Sequence, residues 1–302
     1  MKTGVTILRF LTIIILSVIL FSRHSSALTP EEAIRAQTAY EKGVQHLENN
    51  ELKEAKSYFI TAASLNYPPA LFTLGELNLK ENRPATALKN FQKAASSGFP
   101  RAIFRVGTLY AGGIGVDKDL RTAFTWFEKA ATAGHPIGQF YVGQMFLSGN
   151  GIKQDNEKAI HWFRVSANQG ISRAQYSVGH MYYMGSGTPQ DHKQAKIWFQ
   201  KAALQWHLQS QVNLGVMYYK GEGSEKSAID AFKWWDIAAS SGHEQAHNFR
   251  RNVAAQMTEE ELRVASRLSM DWIIENHAIP HEHTDLTHSL EIHNQLNQNN
   301  RQ

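Results

Sequence analysis

The densest group of titratable side chains is His281-Glu282-His283-Thr284-Asp285, near the C-terminus. Its first two residues open the metalloprotease pattern H-E-x-x-H, in which two histidines one helical turn apart hold zinc and the glutamate acts as base. Asp285 stands where the second histidine is needed, and no helical pattern surrounds it, so catalysis through this segment is not expected. Together with His277, His288 and His293 it forms a histidine-rich stretch able at most to chelate zinc or nickel weakly; the plainer reading is a solvated tail. No residue is assigned as a metal ligand. Serine, histidine and aspartate are frequent elsewhere, but no G-x-S-x-G elbow presents a nucleophile. The chain has no cysteine, which excludes thiol chemistry, disulfides and a lipid anchor on cysteine. Neither an enzyme nor a cofactor is expected from these residues.

The chain repeats one skeleton at a fixed interval. Gly107, Gly143, Gly179 and Gly215 are each 36 residues apart, as are Ala123, Ala159, Ala195 and Ala231, and Trp126, Trp162, Trp198 and Trp234. Each tryptophan is followed by a second aromatic: Phe127, Phe163, Phe199 and Trp235. A fixed period of this size marks a solenoid whose units bury their apolar faces against their neighbours. Val106 before the first glycine and Tyr110 after it set the spacing of a first helix. Glycine inside a helix costs about 1 kcal/mol, so four of them imply a close crossing by a second helix, with the repeated alanine as the matching small residue. Gly-x-Gly turns (Gly113/Gly115, Gly149/Gly151, Gly185/Gly187, Gly221/Gly223) link the helices, and Asp119, Asp155, Asp191 and Ser227 are expected N-caps of the second. Such turns in every unit are architecture, not phosphate cradles, and the aromatic pairs are core.

These residues resemble Sel1-like repeats, the longer-looped relatives of tetratricopeptide repeats. The resemblance rests on A-x-x-x-(L/V)-G-x-x-Y-x-x-G-x-G and the elements after it, seen at Ala174 to Gly187 and then Asp191, Ala195, Trp198, Phe199 and Lys201-Ala202-Ala203. It implies an all-α fold, a right-handed α/α solenoid of tetratricopeptide-like and Sel1-like helix pairs. In the region 28–100 the glycine-to-alanine interval is 12 residues (Gly43 to Ala55, Gly75 to Ala87), against 16 from Gly107 onward. The reading is two tetratricopeptide-like pairs at 28–100, four Sel1-like repeats at 101–244, capping helices at 245–279 and a disordered His/Asn/Gln-rich tail at 280–302, all in one continuous domain.

Residues 1–27 read as a secretory signal. Lys2 and Arg9 precede an apolar run from Phe10 to Phe21, and Ser25-Ser26-Ala27 offers a cleavage site. Twelve apolar residues fall short of the roughly 20 that span a membrane, and an uncleaved N-terminal anchor is the alternative. This segment holds Lys2, Arg9 and Arg23 and no acid, so its removal lowers 31 basic residues to 28 against 27 acidic. A near-neutral chain without basic runs is not expected to bind nucleic acid. The location expected is the periplasm or the exterior of a Gram-negative bacterium.

By analogy with tetratricopeptide repeats, the first helices line a concave binding face at positions three before, one after and four after the repeated glycine. These are Phe104, Phe140, Tyr176 and Val212; Thr108, Gln144, His180 and Val216; and Ala111, Leu147, Tyr183 and Tyr219. Phe104, Phe140, Tyr176, His180, Tyr183 and Tyr219 are the candidate contacts with a protein or peptide. Trp206 joins them, because it replaces the glycine found at 134, 170 and 242; exposed it is a hot spot, buried it only alters one loop. The resemblance implies a non-enzymatic interaction scaffold or adaptor. The alternatives are a β-lactam- or peptidoglycan-interacting protein, or a periplasmic modulator of a sensor kinase.

Overall fold

A computed structural model describes residues 28–277. The signal segment, the cleavage site and the histidine-rich tail, including the His281-Asp285 group, lie outside the described residues. Those residues form fourteen helices and no strand, as the all-α solenoid reading requires. They divide into two compact units with the boundary at the end of one helix: the first runs to Met145 and includes Gly149–Lys153, and the second holds Phe146–Ser148 and resumes at Gln154.

In the first unit α1 (Pro30–Glu48), α2 (Leu52–Ser64), α3 (Pro68–Lys80), α4 (Pro84–Ser96), α5 (Pro100–Gly112) and α6 (Leu120–Thr132) are followed by most of α7 (Pro136–Ser148). Proline in the first turn starts α1, α3, α4, α5 and α7, where its missing N–H is no loss and its fixed φ suits the helix. Thr29 and Glu32 make the expected capping box on α1. The helices pair as α1 with α2, α3 with α4 and α5 with α6. Phe59, Phe91 and Phe127 are fully buried between the members of each pair, each ring removing about 1.5 to 3 kcal/mol of apolar exposure.

The contact that needs the helical glycines differs from the one expected. A Cβ on Gly43, Gly75 or Gly107 would lie 2.6, 2.4 and 2.7 Å from the ring of Phe59, Phe91 and Phe127 respectively. The repeated alanine supplies only its backbone, Ala123 O being 3.3 Å away. The ring of the second helix therefore rests against bare helix backbone at each of these glycines.

In the second unit α8 (Asn156–Asn168), α9 (Ser172–Met184), α10 (His192–Ala203), α11 (Leu208–Lys220), α12 (Ala228–Ser240), α13 (Glu244–Ala254) and α14 (Glu259–His277) follow. Gly179 and Gly215 repeat the close contact with Phe199 and Trp235. Asp155, Asp191 and Ser227 accept backbone N–H bonds at the N-termini of α8, α10 and α12, as Asp119 does on α6. The first glycine of each Gly-x-Gly turn is the left-handed C-cap of the preceding helix. The second lies where a Cβ would meet the N-terminal backbone of an earlier second helix, as at Gly187 beside Asn156.

Arg251, at the next glycine position, is exposed. α14, started by the capping box of Thr258 and Glu261, packs against α12. Asp236 of α12 holds both following helices, accepting from Arg250 Nη1 of α13 at 2.6 Å and from Ser269 Oγ of α14 at 2.5 Å. No helix among the described residues is long and apolar enough to cross a membrane.

Candidate functional site

The candidate contacts fall into three groups once burial is known. Phe104 and Phe140, both in the first unit, are packing residues. Phe140 is only 6 % exposed, and Phe104 stacks on His135 at 4.9 Å with Phe127 and Tyr141 around it. Phe140 is therefore withdrawn as a partner contact, and Val212 at the same place in its repeat is 2 % exposed, whereas Phe104 is half-buried like Tyr176, which shares that place too.

Trp206 is half-buried. At 134, 170 and 242 glycine adopts a φ of +85 to +91° with open space around a Cβ. Trp206 holds a similar conformation at φ +59°, costly for a bulky side chain. Its ring packs 5.0 Å from Trp272 of α14, which is itself 5.5 Å from Trp234. The indole N–H donates to Asn276 O at 3.3 Å. The substitution thus provides a seat for the C-terminal helix on a half-buried ring.

The remaining residues sit on the first helices of the second unit. Tyr176 and His180 lie one turn apart on α9, their rings 6.0 Å apart, and Tyr176 stacks on His207 at 4.8 Å. Tyr183 lies about 10 Å further along α9, two turns on. It stacks on His192 at 5.1 Å, and its hydroxyl donates to Glu222 at 2.7 Å. Tyr219 holds the same place on α11, with the Lys226 ammonium 5.3 Å from its ring centre. All four are partly exposed.

At neutral pH the tyrosine hydroxyls of this face and His207 are neutral, with Glu222, Lys220 and Lys226 as charges beside them. Burial pushes the Tyr176 hydroxyl up, and burial with the bond to Glu222 does the same for Tyr183. Lys220 is held more firmly protonated by Tyr183 and Glu222. His207 is lowered to about 4 by burial and then by the charge of Arg173, so it stands neutral with Nδ1 toward the Ser210 N–H at 3.3 Å. The same Nδ1 lies 3.0 Å from the buried Ser210 Oγ. Among the described residues no group of three or more His, Cys, Asp or Glu is arranged to hold a metal ion.

Sequence reasoning missed Asn213, Met184 and Glu222 on this face. Asn213 interacts with the Tyr176 hydroxyl, and Met184 is 58 % exposed beside Tyr183. It also missed the histidine N-caps of α7, α11 and α13, namely His135, His207 and His243. Their spacing is again 36 residues or a multiple of it, a signal available in the chain.

A repeated helix pair with a buried ring on a helical glycine, and a Gly-x-Gly turn in its longer form, defines a tetratricopeptide-like solenoid protein. The profile of the Sel1 repeat matches residues 36–67, 71–99, 100–135, 136–171, 172–205 and 208–243. The chain belongs to the Sel1 repeat family, whose repeats mediate protein–protein interaction and generally serve as non-catalytic scaffolds. Among solved structures it is similar to c5321, a protective antigen of uropathogenic Escherichia coli with the same repeat fold, at 27% identity and a TM-score of 0.71. That match covers 79% of this chain and 53% of the antigen, so the chain spans about half the antigen's length. It is also similar to a Sel1 repeat protein from Oxalobacter formigenes, at 26% identity and a TM-score of 0.65, covering 68% of this chain and 87% of that one. Comparison with the curated proteins finds no match.

Proposed function

We propose that this protein is an exported bacterial scaffold that binds a protein partner on the first-helix face of α9 and α11, through Tyr176, His180, Tyr183 and Tyr219. The observation that carries the reading is that Tyr183 and Tyr219 are partly exposed aromatics where the equivalent positions of α5 and α7 are Ala111 and Leu147, with the partly exposed His180 and Tyr176 one and two turns before Tyr183. Repetition explains buried rings; it leaves these tyrosines unexplained. Export is read from the Lys2/Arg9-flanked apolar run of residues 1–27, and the periplasm is the compartment proposed.

The covered ring faces favour protein over glycan. His207 lies on one face of Tyr176, His192 on one face of Tyr183 and Lys226 over Tyr219. Flat stacking on a sugar needs open faces; ring edges, hydroxyls and the amide of Asn213 suit a polypeptide with its own donors and acceptors. The test is crosslinking in cells followed by capture, comparing wild type with a Tyr176→Ala/Tyr183→Ala/Tyr219→Ala variant shown by circular dichroism to keep its helix. Capture of one defined envelope protein by wild type and its loss in the variant is the expected result. Equal capture by both overturns the assigned face, and binding of wild type to purified sacculi in place of a protein overturns the partner class.

A further inference from the structure

Three pairs of residues hold matching places in the repeat, each pair 72 residues apart: Arg101 and Arg173, Phe104 and Tyr176, Tyr141 and Asn213. In the first unit the set is closed. Phe104 stacks on His135 and meets the Tyr141 ring edge-on at 5.3 Å, and the Arg101 guanidinium lies over the Phe72 ring at 5.0 Å. In the second unit Tyr176 keeps the histidine stack, on His207, but the contact between two rings has become one between a hydroxyl and the Asn213 amide. Arg173 is exposed, and among the described residues it makes no ion pair and its guanidinium lies over no ring. The packing of the repeat needs neither the hydroxyl nor the uncovered cation.

The corner around Tyr176 is short of acceptors. Gln209 Nε2 donates to Asn213 Oδ1 at 3.2 Å, which leaves the Asn213 NH2 for the Tyr176 hydroxyl. Burial raises the Tyr176 pKa and the Asn213 amide works against that rise, as a donor does. The hydroxyl oxygen is thus approached by a donor, while no acceptor among the described residues takes its own proton. Arg173 stands one turn before Tyr176 on α9, where residues three apart are neighbours, and its charge reaches His207 on the face of the Tyr176 ring. A guanidinium only donates. Among the described residues no carboxylate acts on Tyr176 or His207. Glu222, the acid on this face, is engaged two turns further on by Tyr183 and Lys220.

We propose that Arg173 and the Tyr176 hydroxyl together bind an aspartate or glutamate side chain of the protein partner, at the α9 N-terminal end of the face. The inference rests on the reading of this face as a protein-binding surface. One carboxylate accepts from both groups at once, and the neutral Asn213 and His207 beside it add no competing charge. The test selects random peptides, displayed without a free C-terminus, on residues 28–302 and on the Tyr176→Ala/Tyr183→Ala/Tyr219→Ala variant. Selected peptides are then made with amidated C-termini and titrated by fluorescence anisotropy against wild type, Arg173→Gln and Tyr176→Phe, each checked by circular dichroism. Peptides held by wild type and lost by the triple variant are expected to share an Asp or Glu. Changing that acid to its amide should weaken binding to wild type about tenfold and leave binding to Arg173→Gln nearly unchanged, as the two halves of one ion pair require. Tyr176→Phe, which keeps the ring on His207, should lose part of the preference for acid over amide. Peptides that depend on the tyrosines but carry no acid, or an equal loss on wild type and Arg173→Gln, overturn the carboxylate site and leave the scaffold reading standing. If no peptide depends on the tyrosines, the reading of the face is overturned and the carboxylate site with it.

Discussion

The first two helix pairs and the later ones bury the same ring on the same bare glycine, yet they turn the chain differently. In α1–α2 and α3–α4 the turn residues at positive φ are Asn50 and Asn82, and the second helices start at Glu51 and Arg83 with no side-chain cap. From α5 onward the four-residue extension supplies a left-handed glycine, a second glycine against an earlier helix, and a capping Asp or Ser. The ring lies as close to Gly75 as to Gly107, so helix crossing does not depend on loop length. The extension adds local order at the turn and leaves the core contact alone.

Acid offers the largest contrast between the regions. The first helices α1, α3 and α5 start from Thr29, Tyr67 and Phe99, whereas α11 starts from His207. With the His207 pKa lowered from 6.5 to about 4, the unfolded chain takes up this proton at higher pH than the folded one. The contribution present above about pH 6.5 is therefore lost as the pH falls through 4, by at most about 3 kcal/mol. Hydrogen exchange at pH 7 and 4.5 should show protection falling more in α9–α12 than in α1–α4. His207→Asn, which keeps a capping acceptor and does not titrate, should flatten the difference.

Gly75→Ala and Gly107→Ala should each cost about 2 kcal/mol in urea unfolding, the overpacking against Phe91 or Phe127 exceeding the gain in helix propensity. Unequal losses would mean that loop length does govern the crossing. Asp119→Ala should cost about 1 kcal/mol, while Glu51→Ala, which removes no cap bond, should stay within about 0.5 kcal/mol. A large loss at Glu51 would break the contrast in capping.

The smallest effects are gains read from the repeat itself. Ser224 Oγ is buried without a partner where other units carry Val116, Ile152 and Thr188, so Ser224→Val should stabilise by up to about 1 kcal/mol. Gln205 donates to the buried Gln175 at 2.8 Å, but its equivalent for Gln211 is Ser241, and Gln211 Oε1 is left unpaired. Ser241→Gln should recover about 0.5 kcal/mol. A rise in the unfolding midpoint for both variants is the expected result.

Much of the fold was legible in the chain because it repeats. Gly107, Phe127, Asp119 and Gly113 recur in register, and each is forced by backbone geometry or a nearest neighbour, interactions that spacing along the chain encodes. The identity of the atom against each glycine was not legible: alanine and phenylalanine recur at the same period, and only the packed pair shows the ring lying on the backbone. The candidate face was read in part. Tyr176, His180, Tyr183 and Tyr219 stay partly open, while Phe140 turns inward, because its ring is captured by neighbours that the 36-residue spacing does not name.

The sequence alone determined the helix count per unit, the turns, the Asp and Ser caps of the second helices and the family, since all follow from local conformational preference and periodicity. The tertiary structure alone decided the use of Trp206. Its partners Trp272 and Asn276 lie about 70 residues further along, outside the repeats, and they meet it only once α14 has folded back over α12. A contact of that span has no period to announce it, and it depends on side chains meeting in three dimensions.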